Sequence, residues 1–333
     1  MPLVLRTLRL LPGVVVLGVL AQRLGSGPFL AAVHALSGPT LSAALAIGAA
    51  TTILSAWRWA VVARGLGITL PLGTAVSAYY RALFLNGVLP GGVLGDLHRA
   101  VGHGKDVGSV SLATKAVVLE RCVGQIVLVA AAVGVALVSP TVLVPIATTD
   151  VLDHPGLLIA GVLGVIGVLA LAAVVVRLGT ARRRPNPADA GDGWAVGVRA
   201  LLLAPGRRVR VLAASALVLA GHVGTFALAA HAAGSVVPLG RLVPLALLSL
   251  LAMSLPVNVG GWGPREGVTA WAFGAAGSSA GQGLTIAVLY GLLALIASLP
   301  GAVVLVGGRR MTDASRAGGS PARRWPAAFP ARS

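Results

Sequence analysis

The chain has 333 residues, of which 56% are hydrophobic and only 11% are charged. Soluble globular domains average about 45–50% apolar and about 25% charged residues, so a soluble domain and a disordered chain are both excluded. The net charge of +17 would suggest nucleic acid in a soluble protein, but only 4% of the residues are aromatic and the basic stretches flank apolar runs. The composition therefore predicts an integral membrane protein that binds no nucleic acid.

Six apolar runs reach the length of about 20 residues that a membrane-crossing helix needs. They cover, in chain order, residues 3–22, 41–63, 108–138, 156–177, 211–234 and 283–307. The first run imitates a secretory signal peptide, but Val19-Leu20-Ala21-Gln22 is a poor cleavage site, so we expect a retained helix. Near the end of the second run, Trp57-Arg58-Trp59 is most simply interpreted as an anchor at the membrane interface.

The distribution of the basic residues predicts the orientation of these runs. Of the 26 Lys and Arg residues, eight lie between Arg177 and Arg210, six lie between Arg309 and Arg332, and the segment 139–155 contains none. Short loops rich in Lys and Arg stay cytoplasmic, so residues 178–210 are predicted to form a basic cytoplasmic loop and residues 311–333 a disordered cytoplasmic tail. Since six crossings return the chain to its starting side, both termini are predicted to be cytoplasmic in a multi-pass protein of the cell membrane.

Two further apolar segments, residues 71–104 and 242–276, are each interrupted near the middle by Pro and Gly. Both interruptions contain Leu-Pro, then Gly-Gly, then a further Gly, and then an acid close to an Arg. The candidate substrate-binding residues in them are Asn86, Pro90, Gly91, Gly92, Asp96, Arg99, Pro256, Asn258, Gly260, Gly261, Arg265 and Glu266. Because non-helical backbone at membrane depth is tolerated only against protein or a water-filled cavity, each segment is predicted to be a re-entrant hairpin. In a chain with 45 glycines, the alternative is that both interruptions are ordinary glycine-rich loops.

The order of the segments predicts a repeat. Two spans, a broken segment and one long span are followed by the same series, and the first series begins inside while the second begins outside. We therefore predict an all-α polytopic protein with one domain over residues 1–310, whose halves, 1–155 and 156–310, form an inverted repeat of about six spans and two broken hairpins. Interrupted segments at corresponding positions of inverted halves indicate a transport site near the midplane.

Glu120 and Arg121 lie inside the third apolar run and complete the candidate substrate-binding residues. A charge near the bilayer centre costs at least about 2.5–3.5 kcal/mol, so such a residue usually faces a cavity and has a function. Asp96 and Arg99 are three residues apart and share a face if a helix contains both. Adjacent residues on a helix point in different directions, so Glu120 and Arg121 are expected to pair with the broken segments. The alternative role for all of these charges is to hold the hairpins together as structural ion pairs.

The residue types at the interruptions favour an anionic ligand. A helix that begins after a glycine-rich break presents unpaired N–H groups, and Arg99 and Arg265 carry guanidinium groups suited to phosphate. This predicts a site for a phospholipid or polyprenyl-phosphate headgroup. No histidine has a His or Cys partner at a metal-binding spacing, and no nucleophile motif or phosphate-binding loop occurs in the sequence. We therefore expect no metal, no cofactor and no enzymatic activity.

Three ordered motifs resemble those of the lysylphosphatidylglycerol synthase transmembrane domain family, also called flippase-like domain proteins. The motifs are Leu89-Pro90-Gly91-Gly92 through Gly95-Asp96 to Arg99, then Glu120-Arg121, then Leu255-Pro256 through Gly260-Gly261 to Arg265-Glu266. The resemblance covers roughly residues 1–310 and implies a membrane domain that moves lipids with modified headgroups between leaflets.

The same resemblance bears on enzymatic activity and on partners. Full synthases carry a soluble aminoacyl-transferase domain after the membrane part, whereas this chain ends about 25 residues after its last apolar run, so we expect no synthase activity. Two alternatives to lipid movement are open. The chain is then either a non-transporting scaffold for a partner such as a lipid-modifying enzyme or glycosyltransferase, or a membrane enzyme that acts on polyprenyl-phosphate carriers.

Overall fold

The structure, a computed structural model, describes residues 25–89, 92–138, 204–254 and 262–306, together with residues 18 and 22. The regular elements in these ranges are α-helices, as predicted. In chain order they are α1 (Gly27–His34), α2 (Gly38–Gly65), α3 (Leu72–Val88), α4 (Leu94–Asp106), α5 (Val110–Val138), α6 (Pro205–Ala232), α7 (Leu239–Met253), α8 (Pro264–Ala275) and α9 (Ala280–Ser298). After Leu299, helical structure continues to Val306. The predicted span over 156–177 and the predicted tail lie outside the described residues, as does the span over 3–22 apart from residues 18 and 22. Of the predicted loop over 178–210 only residues 204–210 are described, and there the prediction is wrong, because α6 already begins at Pro205.

Within the described ranges, four helices are long and apolar enough to cross a membrane: α2, α5, α6 and α9 with its extension to Val306. They coincide with the predicted runs 41–63, 108–138, 211–234 and 283–307. A helix of 28 residues, such as α2, is about 42 Å long and exceeds the hydrocarbon core of about 30 Å. The helix start is also favourable in α2, because the Ser37 hydroxyl accepts a hydrogen bond from the Thr40 amide and Pro39 occupies the first turn.

Each predicted interruption separates two shorter helices, which confirms that these segments are broken. The first helix pair is α3 and α4, whose break lies between Val88 and Leu94, and the second helix pair is α7 and α8, whose break lies between Met253 and Pro264. A glycine with positive φ stands in each break, +60° at Gly92 and +106° at Gly263, where L side chains are strained. The candidate residues Pro90, Gly91, Pro256, Asn258, Gly260 and Gly261 lie outside the described residues.

The two helices of each pair pack against each other, but through different contacts. In the first pair, Gly95 lies so close to the backbone of Ala82 that a Cβ atom at Gly95 would overlap the Ala82 carbonyl, and the Gly95 amide donates a 2.7 Å hydrogen bond to Asn86 Oδ1. In the second pair, the buried hydroxyls of Ser249 and Thr269 lie 2.9 Å apart.

The packing of α2–α5 recurs among α6–α9. In each group a long helix contacts both the first short helix and the closing long helix, and each helix of the short pair contacts the next helix along the chain. Contacts between the groups recur too: α5 packs on α6 and α7, while α9 packs on α2 and α3. The most extensive interface joins α2 to α6. The first helix pair thereby packs against α2 and α5, which carry Arg58, Glu120 and Arg121, while the second packs against α6, α9 and, through α7, α5.

Candidate functional site

Glu120 on α5 is the centre of the first group of charges, and its side chain is fully buried. Arg58 on α2 donates from Nε to Oε1 at 2.9 Å and also through Nη2. Arg99 on α4 donates from Nη2 to Oε2 at 2.7 Å, and the hydroxyl of Tyr79 on α3 lies 3.3 Å from Oε1. One buried carboxylate therefore joins four helices.

Asp96 is the second acceptor in this group. Its carboxylate accepts hydrogen bonds from Arg99 Nε at 2.9 Å, from Arg121 Nη2 at 2.8–2.9 Å and from Asn86 Nδ2 at 3.2 Å. The predicted pairing of Asp96 with Arg99 is confirmed. The expectation that Glu120 and Arg121 pair with the broken segments is also confirmed, and both pair with the first one. We call Arg58, Asp96, Arg99, Glu120 and Arg121 the first charge cluster.

Aromatic rings surround the most buried arginine of the first charge cluster. The Arg99 Cζ atom lies 4.7 Å from the ring centroid of Trp59 and 4.5 Å from that of Tyr79, within the range of cation–π attraction. Burial of a charge is costly unless it is paired and hydrogen-bonded. The carboxylates of Asp96 and Glu120 pair with Arg99, and the two ring faces add cation–π attraction to this buried charge.

The interpretation of Trp57-Arg58-Trp59 as an interfacial anchor is wrong for two of its three residues. Arg58 and Trp59 are both buried, because Arg58 pairs with Glu120 and Trp59 packs on Arg99. A sequence signal existed: Arg58 is a cation inside an apolar run, and Glu120 needed a cationic partner from another helix. Tyr79 carried no such signal, since a tyrosine in an apolar helix is ordinary.

The first charge cluster contains one more cation than anion, since three arginines face two carboxylates. The side chain of Arg121 is 40% exposed, whereas that of Asp96 is 14% exposed and the other three are buried. Arg99 Nη1 and Arg121 Nε are buried donors without a hydrogen-bond partner among the described residues. The cluster thus retains a positive charge and free donor capacity beside Asp96.

The second charge cluster consists of Arg265 and Glu266 at the start of α8. Arg265 donates from Nε to Glu266 Oε1 at 3.0 Å, and Glu266 Oε2 accepts the Gly263 amide at 2.6 Å, which caps the helix. The Arg265 Cζ atom lies 5.0 Å from the ring of Trp262 and 5.3 Å from that of Tyr290. Both charged side chains are buried, and the pair is neutral overall.

Each cluster includes or contacts a residue near the middle of a helix that is long enough to cross a membrane. Arg121 is three residues from the midpoint of α5, which corresponds to about 4.5 Å along the axis. Tyr290, which packs on Arg265, is three residues from the midpoint of Ala280–Val306, again about 4.5 Å. His222 on α6 reaches the same region, where its Nδ1 lies 3.1 Å from the Tyr290 hydroxyl.

The structure distributes the described candidate residues over two clusters. Asp96, Arg99, Glu120 and Arg121 belong to the first, which Asn86 contacts through Asp96, while Arg265 and Glu266 form the second. Gly92 stands in the first break. Sequence reasoning missed Arg58, the aromatic rings around each arginine, and the direct pairing of two adjacent residues at the start of a helix.

A comparison with protein families gives one match that covers most of the chain. The family described as Lysylphosphatidylglycerol synthase TM region matches residues 6–301, a range that contains both helix pairs and both charge clusters. No curated protein and no solved structure matches the chain.

Proposed function

Because the chain belongs to the lysylphosphatidylglycerol synthase TM region family, we propose that it is a lipid translocase. It moves an anionic or modified phospholipid, or a polyprenyl-phosphate-linked headgroup, between the leaflets of the cell membrane. The observation that carries this proposal is the positive first charge cluster, with the partly exposed Arg121 near the middle of α5. An arginine at this depth faces a water-filled cavity or a ligand rather than lipid tails.

The chemistry of the first charge cluster suits a phosphate group. A guanidinium group binds phosphate through two parallel hydrogen bonds, and Arg121 Nε is a donor without a hydrogen-bond partner among the described residues. The acyl or polyprenyl chains of the lipid stay in the bilayer while the headgroup crosses between the helices. This arrangement lowers the cost of taking a charged headgroup through hydrocarbon.

The proposed architecture has six spans and two re-entrant hairpins in an inverted repeat, with both termini cytoplasmic. Its support is the recurrence of the long–short–short–long helix order and of the packing between α2–α5 and α6–α9. In an inverted repeat the two halves can exchange conformations, which exposes a central site to one side and then the other. On this proposal the chain catalyses no chemical reaction, and its partners are membrane lipids.

Reconstitution into liposomes tests the proposed function. We expect the purified protein to accelerate the transbilayer movement of a fluorescent anionic phospholipid, measured by chemical quenching of the label in the outer leaflet. Arg121→Gln should slow this movement about 10-fold or more, because it removes a charge-assisted contact to phosphate. Arg210→Gln, which changes an exposed arginine at the start of α6, is the matched control and should move lipid at the wild-type rate.

Two results would overturn the proposal. Lipid movement no faster than in protein-free liposomes would favour the scaffold alternative, and a chemically altered polyprenyl-phosphate lipid would favour the enzyme alternative. Equal rates for the wild type and Arg121→Gln would remove Arg121 from the binding site.

A further inference from the structure

We propose that the first charge cluster selects headgroups whose phosphate is a singly charged diester and rejects phosphomonoesters, with Arg121 as the contact residue and Asp96 as the discriminating residue. This inference deepens the proposed function and rests on it for the identity of the ligand as a lipid headgroup.

The first step is the charge of the cluster. Three arginines and two carboxylates leave one positive charge. An uncompensated charge near the middle of a membrane is costly, so one negative charge on the ligand neutralises the cluster. A phosphodiester supplies one charge, whereas a phosphomonoester carries about −1.5 to −2 at pH 7.

The second step is the position of the uncompensated charge. Arg58 and Arg99 are enclosed around Glu120, whereas the Arg121 side chain is 40% exposed. The two buried donors without a partner among the described residues, Arg99 Nη1 and Arg121 Nε, belong to the two arginines that hold Asp96. A phosphate that uses these donors therefore lies beside the Asp96 carboxylate.

The third step is repulsion from Asp96. This carboxylate is 14% exposed and lies 2.8 Å from Arg121 Nη2, and like charges at close range in a poorly solvated site repel strongly. A singly charged phosphate gains more from the arginines than it loses to Asp96, while each additional charge on a monoester faces the same carboxylate. Asp96 therefore acts against doubly charged headgroups.

The second charge cluster gives the matched contrast. Arg265 and Glu266 neutralise each other, and both side chains are buried, so this cluster needs no anion. Selection by headgroup charge is accordingly confined to the first cluster.

The test is a binding competition on the purified full chain. Phosphatidylglycerol and phosphatidic acid with identical acyl chains compete at equal concentration in phosphatidylcholine nanodiscs at pH 8, and native mass spectrometry counts the lipids retained by the protein. We expect the wild type to retain phosphatidylglycerol about 10-fold over phosphatidic acid, as expected for one unfavourable charge contact. Arg210→Gln should match the wild type, and Arg121→Gln should lose most binding of both lipids.

Asp96→Asn is the decisive variant, because the cluster then carries two positive charges while the amide oxygen can still accept hydrogen bonds from the arginines. We expect its preference to shift to phosphatidic acid. Wild-type protein that retains phosphatidic acid as well as phosphatidylglycerol would overturn the inference, as would a folded Asp96→Asn variant with unchanged preference. If Asp96→Asn unfolds, the wild-type competition alone decides.

The binding competition and the liposome assay test the charge selection and the proposed translocase independently. Selective binding without lipid movement in liposomes would refute the proposed translocase and leave the charge selection intact. Lipid movement with no preference between the two headgroups would do the reverse.

Discussion

In both helix pairs an arginine near the start of the second helix lies between two aromatic rings, Arg99 in α4 and Arg265 in α8. The two arginines obtain their carboxylates differently. Glu120, which pairs with Arg99, comes from the following long helix, whereas Glu266 is the next residue after Arg265. Arg99 therefore links its helix pair to another helix, whereas Arg265 forms its ion pair within its own helix.

The two breaks share a sequence pattern of Pro, Gly, an acid and an Arg, but their charge clusters differ in composition and burial. The first charge cluster contains residues from α2, α4 and α5, keeps a positive charge, and leaves the Arg121 side chain partly exposed. The second is neutral, buried and also serves as a helix cap. A buried ion pair that is satisfied within one helix fixes local geometry, whereas an unbalanced cluster between helices favours a ligand.

The largest expected effect comes from removal of the two glutamates. Glu120→Ala leaves Arg58 and Arg99 without a shared buried acceptor, so we expect a loss of about 3–5 kcal/mol in the free energy of unfolding. Glu266→Ala leaves one arginine, Arg265, and the Gly263 amide without this acceptor and should fall at the lower end of that range. Denaturant unfolding in detergent micelles, followed by circular dichroism, measures both losses.

Asp106→Asn is the control for these two variants, since it changes an exposed acid at the end of α4 and should alter stability by less than about 0.5 kcal/mol. A Glu266→Ala variant less stable than Glu120→Ala would contradict the assignment of Glu120 as the junction between helices.

A smaller effect is expected at the backbone contact that closes the first helix pair. Gly95→Ala places a methyl group against the Ala82 carbonyl and should cost about 1–3 kcal/mol. Gly102 lies in the same helix, but a Cβ there meets nothing within 4 Å, so Gly102→Ala should stabilise the protein by up to about 1 kcal/mol through helix propensity. Thermal unfolding of the two variants compares them directly, and the same sign for both would argue against the close contact.

The sequence predicted the four described long helices and both breaks because these depend on local properties, namely apolar run length and the placement of Pro and Gly. It also predicted that Glu120 and Arg121 pair with the broken segments, since charges in an apolar run need partners, but not with which of the two segments. It did not predict Arg58 in the cluster, because that contact depends on how α2 packs against α5. Nor did it distinguish the balanced cluster from the unbalanced one, because the number of arginines that reach each carboxylate is a property of tertiary packing.

The smallest expected effect concerns the hydroxyl contact that joins α7 to α8 in the second helix pair. Ser249→Ala removes the partner 2.9 Å from Thr269 Oγ1, but Thr269 keeps its 2.7 Å hydrogen bond to the Arg265 carbonyl. The remaining loss is one buried hydrogen bond, about 0.5–1.5 kcal/mol. Ser254→Ala, at an exposed serine whose hydroxyl bonds to the Leu251 carbonyl, should change the free energy of unfolding much less because water replaces the bond. If the Ser249 variant is as stable as the Ser254 variant, the second pair is held by apolar packing alone. The hydroxyl contact in the second pair would then contribute nothing measurable to the free energy of unfolding. The charges would remain as the main energetic difference between the two helix pairs.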